Sequence, residues 1–190
     1  MMLHYEDILQ DEDICIYIQK ADDCLAAQRF TEHSFAHVGL VARSCKLILE
    51  SCGFPERTVE LACIAALLHD IGNMVNREDH SQSGALLAFR LLEERHMEPS
   101  EIAEVVAAIG NHDEGNGVPV SPIAAALILA DKSDVRRSRV REKPHESFDI
   151  HDRVNYSVTE SMMQVENGEL TLNLTIDARF GSVMDYFTIF

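Results

Sequence analysis

Apolar residues recur along this chain with a helical period for most of its length and switch to a period of two near the end. The strongest stretch runs from Leu61 to Asn73, LACIAALLHDIGN, apolar on every side for eight residues before it reaches His69-Asp70. A helix that is apolar all round is buried inside its domain, so Arg57 to Asp70 is expected to form the central helix. Gly72 stands where a helix end favours a left-handed residue, which places His69 and Asp70 in the last turn. Before it, Ile14, Ile18 and Leu25 give a helix from Glu12 to about Arg29. Val38, Val41, Ala42, Cys45, Ile48 and Leu49 give another from about Glu32 to Ser51, with His37 beside the stripe and Gly53 and Pro55 at its end.

After a polar loop, Asp79-x-x-Gln82 reads as a capping arrangement that starts a helix at His80 and carries it to about His96. Pro99-Ser100-Glu101 opens a further helix running to Asn111-His112, and Ser121-Pro122 starts one that is apolar from Ile123 to Ala130 and bears Asp131 and Lys132. The pattern changes at about Pro144. Leu170, Leu172, Leu174 and Ile176 alternate with polar residues as in a half-buried strand, and Asn167-Gly168 before them signals a hairpin with a strand over Glu160 to Val165. Ser182 to Phe190 reads as a terminal helix. The expected fold is mainly α: a helical bundle over residues 1–143, with an extension over 144–190 that holds a small β-hairpin and the terminal helix and packs on the same domain.

Composition narrows the function classes. A chain of 190 residues with 46% hydrophobic residues is most simply one globular domain that buries roughly 70% of the surface its unfolded form exposes. A formal net charge of -16 repels the backbones of nucleic acid polymers but leaves room for a small anionic substrate where local charge runs against the trend. No stretch reaches the ~18 apolar residues of a membrane span, and MMLHYEDILQDED is acidic where a signal peptide is basic and then apolar. A cytoplasmic protein without a membrane partner is expected. Cys15, Cys24, Cys45, Cys52 and Cys63 form no C-x-x-C pair and are odd in number, so they read as reduced and mostly small core residues.

The end of the central helix is a poor place for an unpaired carboxylate, because the helix dipole there is already negative and a buried anion costs several kcal/mol. A divalent metal answers it, since imidazole and carboxylate are both good ligands. Alone, a His-Asp pair is more often a hydrogen-bonded helix end. The rest of the chain shifts that balance. His37, His69-Asp70 and Asp131 resemble the H...HD...D pattern of the HD superfamily of metal-dependent phosphohydrolases, and the contexts HVGLVA, ALLHDIGN and ILADKSD match as well. The resemblance covers about residues 30 to 140. These residues sit at helix ends or beside apolar stripes, so antiparallel packing of their helices could bring them to one point and leave coordination positions open for water and substrate.

Two more histidines resemble a subgroup of that superfamily with a two-metal centre. His80 opens the segment His80-Ser81-Gln82-Ser83-Gly84-Ala85, similar to H-x-x-x-G-A, and His112 ends its helix where those members place another ligand. The resemblance implies that Asp70 is shared by two metals, with His37 and Asp131 completing one site and His80 and His112 the other. His33, one turn before His37, is the competitor for that ligand role, and His4, His96, His145 and His151 read as surface or structural. The implied cofactor is one or two divalent ions per chain, Fe or Mn ahead of Zn, Co, Ni or Mg. His69 and Asp70 would carry catalysis.

Lys132, Arg136, Arg137, Arg139, Arg141 and Lys143 form the one dense basic run in an acidic chain. Such a run is either a solvated face or, for Lys132 and Arg136, a grip on phosphate oxygens; Arg153 is a further candidate for substrate binding. The expected activity is hydrolysis of a phosphoester or phosphoanhydride in a small phosphorylated molecule, a nucleotide by preference, by metal-activated water. A di-iron oxygenase with the same ligands and a non-catalytic nucleotide-binding module are the alternatives. The apolar segment ending at Phe190 packs either on its own core or on a second copy in a homodimer.

Overall fold

The computed structural model describes residues 2–115, 117–142, 145–166 and 168–190; Lys143, Pro144 and Asn167, named above, lie outside the described residues. The order is α1 (Tyr5–Leu9), α2 (Glu12–Ala27), α3 (Phe35–Ser51), α4 (Glu56–Leu68), a short 3-10 helix (Ile71–Met74), α5 (His80–Glu94), α6 (Pro99–Gly110), α7 (Pro122–Ser133), α8 (Ile150–Ser157), β1 (Val158–Glu166), β2 (Glu169–Ile176) and α9 (Val183–Ile189). The protein is mainly helical with one two-stranded antiparallel hairpin. No described helix is long and apolar enough to cross a membrane.

Helix α4 is central, with every residue from Leu61 to Leu68 buried. It packs against α1, α3, α6 and α7, while α5 leans on α6 and on the 3-10 helix. Burying a leucine or isoleucine fully contributes about 1.5–3 kcal/mol. The fully enclosed Ile64, Leu67 and Leu68 therefore anchor the segment whose end carries the His-Asp pair.

Beyond Asp70 the chain does not turn left-handed. Gly72 has no positive φ, and the helix tightens into the 3-10 turn. A Cβ at Gly72 would stand 1.9 Å from the His80 carbonyl oxygen and 2.6 Å from the Gly84 nitrogen. Close approach of two backbones, and not helix termination, is what glycine permits here, and it brings the start of α5 against the end of α4.

The capping arrangement expected at Asp79 does not form. Asp79 itself is left-handed at φ 55° and its side chain makes no capping bond. Ser83 Oγ donates to the Asp79 carbonyl at 3.2 Å, and Gln82 Nε2 donates to the Gly110 carbonyl at 2.7 Å, tying α5 to the end of α6.

The hairpin pairs Val165 with Leu170 and Ser161 with Leu174, with Gly168 at φ 79° in the turn. Met163, Val165 and Leu170 pack on the main core. Val135, Val154 and Val158 form a second, smaller cluster under α8, α9 and the hairpin, covered by Ile176, Tyr186 and Phe190 among others. Helices α1 and α8 were not foreseen; both are short, and α8 has mostly polar residues. All five cysteines are free, with Cys45 and Cys63 buried and Cys52 exposed.

Candidate metal centre

Six side chains from five helical segments meet at the end of α4. His37 comes from the first turn of α3, His69 and Asp70 follow the last turn of α4, His80 is the first residue of α5, His112 lies two residues past α6, and Asp131 is in the last turn of α7. His37, His69, Asp70, His80 and His112 are buried. His37 Nε2 lies 3.3 Å from His69 Nε2, 3.2 Å from Asp131 Oδ1 and 3.5 Å from Asp70 Oδ2. The other Asp70 oxygen, Oδ1, faces His80 Nε2 at 3.5 Å and His112 Nε2 at 4.0 Å. Asp70 thus stands between two groups of donors, one oxygen toward each.

Each imidazole is aimed by its far nitrogen. Nδ1 donates to the Ala66 carbonyl at 2.7 Å in His69, to the Arg77 carbonyl at 3.1 Å in His80, and to the Ile109 carbonyl at 2.7 Å in His112. In His37 it donates to Asp134 Oδ2 at 2.7 Å. Such bonds set the tautomer and leave Nε2 to point its lone pair into the centre, the arrangement seen behind metal-ligating histidines. Asn73 Nδ2 donates to Asp70 Oδ1 at 3.0 Å, and Lys132 Nζ donates to Asp131 Oδ2 at 2.7 Å. Asp70 Oδ2 is buried, with His69 Nε2 3.1 Å away and no partner among the described residues in hydrogen-bonding geometry.

The electrostatics call for a cation. Burial by itself pushes His37 and His69 down, but the surrounding carboxylates outweigh it and carry them up to about 9 and about 10. Burial likewise opposes the charge on Asp70 and Asp131, yet the neighbouring His69 and Lys132 hold both far below the usual carboxylate range. His112 falls to about 3 through burial and the proximity of His69, and burial also lowers His80. Two buried carboxylates are therefore balanced by protons on two imidazoles, or by a metal that displaces them. Three overlapping sets can hold an ion, with ligand atoms within 4.8 Å of one another: His37, His69 and Asp70; His69, His112 and Asp131; and Asp70, His80 and His112. The unpaired Oδ2 and the converging Nε2 lone pairs fit a divalent metal by an observation independent of motif.

His33 sits at the edge of this group. Its Nδ1 donates to the Thr31 carbonyl at 2.8 Å and its Nε2 is 3.9 Å from Asp70 Oδ2. Burial keeps it well below the usual histidine range, so it faces Asp70 as a neutral ring. His37 is the closer of the two to Asp131 and His69.

A cavity of about 80 Å³ opens over the cluster, with Asp70, Asp131, His80 and His112 in its floor and Arg77, Arg139, Lys132, Glu114, His151 and Asn155 in its walls. The basic run meets it only in part. Lys132 borders the cavity, but its ammonium is held by Asp131 and Glu114. Arg136 turns away to Asp134 Oδ1 at 2.8 Å and Glu32 Oε2 at 2.9 Å. Arg137 stacks over Tyr156, and Arg141 reaches Asp22 at 2.6 Å. Arg139 is buried, donating to the Asp134 carbonyl at 2.8 Å and the Glu32 carbonyl at 3.0 Å. Most of the run thus clasps the loop after α7 to the loop before α3. Arg153 is exposed and does not line the cavity.

Residues that sequence reasoning passed over include Asp134, which orients His37, and Arg77, whose Nη1 lies 3.4 Å from His80 Nε2 at the cavity edge. The second aspartate of ILADKSD, one turn after Asp131, was the available signal for Asp134. Arg77 had none, because it lies in a polar loop without periodicity.

An uncharacterized protein of Methanocaldococcus jannaschii is 25% identical over 172 residues, a match covering 77% of this chain, and the chain spans 65% of that relative's length. A crystal structure described as a predicted HD superfamily hydrolase from an uncultured Thermotogales bacterium is similar at a TM-score of 0.52 and 28% identity, over 65% of this chain and 67% of that one. The sequence model of the HD domain matches residues 32–188, a span that contains all six clustered side chains, and on that match the chain belongs to the HD domain family.

Proposed function

We propose that the protein is a metal-dependent hydrolase of phosphoester or phosphoanhydride bonds in a small molecule, with a nucleotide as the favoured substrate. The observation that carries this reading is Asp70, a buried carboxylate whose Oδ2 faces His69 Nε2 at 3.1 Å and His37 Nε2 at 3.5 Å while its Oδ1 faces His80 Nε2 at 3.5 Å, one oxygen toward each of two donor groups. The membership in the HD family and the likeness to an HD superfamily hydrolase support it. We assign the ligand role to His37, His69, Asp70 and Asp131 on one side and to Asp70, His80 and His112 on the other.

Divalent ions held there supply Lewis acidity, which makes water nucleophilic at neutral pH and offsets phosphoryl charge. The chain's own residues do the rest. Asp134 holds the His37 ring, Asn73 holds Asp70 and Lys132 holds Asp131, so the donor set is in place before substrate arrives. Arg77 is the cavity-wall guanidinium that would receive phosphate oxygens, whereas Arg139 lines the cavity but donates to the Glu32 and Asp134 carbonyls. No serine or cysteine nucleophile is required.

The test is a phosphate-release panel of phosphomonoesters, diesters and nucleotides, run on protein loaded with Mg, Mn, Fe, Zn, Co or Ni. Release that depends on metal, and that proceeds with redox-inactive Mg, supports the reading. Dioxygen consumption by an iron-loaded protein without phosphate release replaces it with the oxygenase alternative.

A further inference from the structure

Along one wall of the cavity runs a chain of charged groups that the ligand set does not use. Asp131 Oδ2 accepts from Lys132 Nζ, the same ammonium binds Glu114, and Glu114 Oε1 lies 3.9 Å from His151 Nε2. His151 is the second residue of α8 and 41% of its side chain is exposed, so it stands at the mouth and not on the floor. The cavity is small. At about 80 Å³ it accepts a phosphoryl group with a few waters, and the remainder of any substrate must lie at the rim.

The other ionisable wall groups are poorer proton donors. Arg77 and Arg139 are guanidiniums, which stay charged. Lys132 is fixed between two carboxylates, and His33 has spent its Nδ1 proton on the Thr31 carbonyl. Asp149 caps α8, accepting from the Asp152 amide at 2.9 Å. Imidazole is the side chain that exchanges protons near neutral pH, and His151 is an imidazole at the mouth, its Nε2 3.9 Å from Glu114 Oε1.

Resting on the phosphohydrolase reading above, we propose that His151 is the general acid that protonates the leaving group, and that the substrates are phosphate monoesters of alcohols and not phosphoanhydrides. Water adds to phosphorus, the bond from phosphorus to the ester oxygen breaks, and its electron pair stays on that oxygen, which takes a proton from the His151 imidazolium. The products are an alcohol and inorganic phosphate, and the proton shed by the attacking water restores the imidazolium through solvent. An alkoxide is too basic to leave without that proton, whereas a phosphate leaving an anhydride is not. One phosphoryl group also suits a cavity lined by the Arg77 guanidinium, with Lys132 held by two carboxylates and Arg139 by two backbone carbonyls.

The test compares His151→Gln with the parent on two probes, a nucleoside 5′-monophosphate and p-nitrophenyl phosphate, whose leaving group is a weak base. Metal per chain is measured on the same samples. The expected result is a loss in kcat of about 10²–10⁴-fold on the alkyl ester, less than about threefold on p-nitrophenyl phosphate, and unchanged metal. His151→Ala behaves likewise, with its activity on the alkyl ester restored in part by added imidazole. Equal losses on both probes, no loss on the alkyl ester, or loss of metal overturns the assignment. A parent protein that releases phosphate only from anhydrides also overturns it while leaving the hydrolase reading intact; a parent that releases phosphate from nothing removes both.

Discussion

The helices up to α7 and the segment after Arg136 divide the work unequally. Every one of the six clustered side chains lies on or beside α3 to α7, packed on the large core around α4, whereas the later segment adds α8, α9 and a hairpin over a cluster of three buried valines. In the first region burial is dense enough to force charge compensation, and the side chains there are aimed by hydrogen bonds. In the second region the buried cluster is small, and His151 at the cavity mouth is partly exposed. On the proposed reading, chemistry that needs fixed geometry would sit in the densely packed part and contacts with the rest of the substrate in the other.

Five substitutions test that contrast, taken from the largest effect down. Asp70→Asn preserves shape but removes the charge shared by the two donor groups; phosphate release should fall by about 10³-fold or more, with bound metal falling in step, read by elemental analysis. His80→Ala should take metal from two ions per chain to one while the fold holds, and an unchanged stoichiometry would assign a mononuclear site. Arg77→Ala should leave metal bound and raise KM about tenfold, the scale of one charge-assisted hydrogen bond; a loss of metal instead would make Arg77 a support for His80. Finally, Leu67→Ala should cost about 2–5 kcal/mol in denaturant unfolding and Val154→Ala about 1–2 kcal/mol. Equal costs would erase the distinction between the two regions.

The helical frame was legible because its stripes are long and its turns well marked, and the hairpin because alternation at Leu170 to Ile176 is clean. The convergence of His37, His69, Asp70, His80, His112 and Asp131 was legible through motif spacing and through the oddity of an acid at a buried helix end. Partners of the basic run were not. Charge density along a sequence says nothing about what each guanidinium meets, and Arg136 finds Glu32 104 positions earlier. Gly72 was assigned the wrong reason, since its lack of a Cβ serves a backbone contact with α5 that only tertiary packing reveals. In DIHDRVNY the arginine drew attention and the histidine did not, yet His151 borders the cavity and Arg153 faces solvent, two positions apart on α8.

If this buried cluster holds divalent metal and hydrolysis depends on it, titrating metal-stripped protein with a divalent ion while reading phosphate release should give none at zero metal and a rate that saturates at two equivalents per chain. Full release by the stripped protein, held in excess chelator, would show that hydrolysis proceeds without the metal.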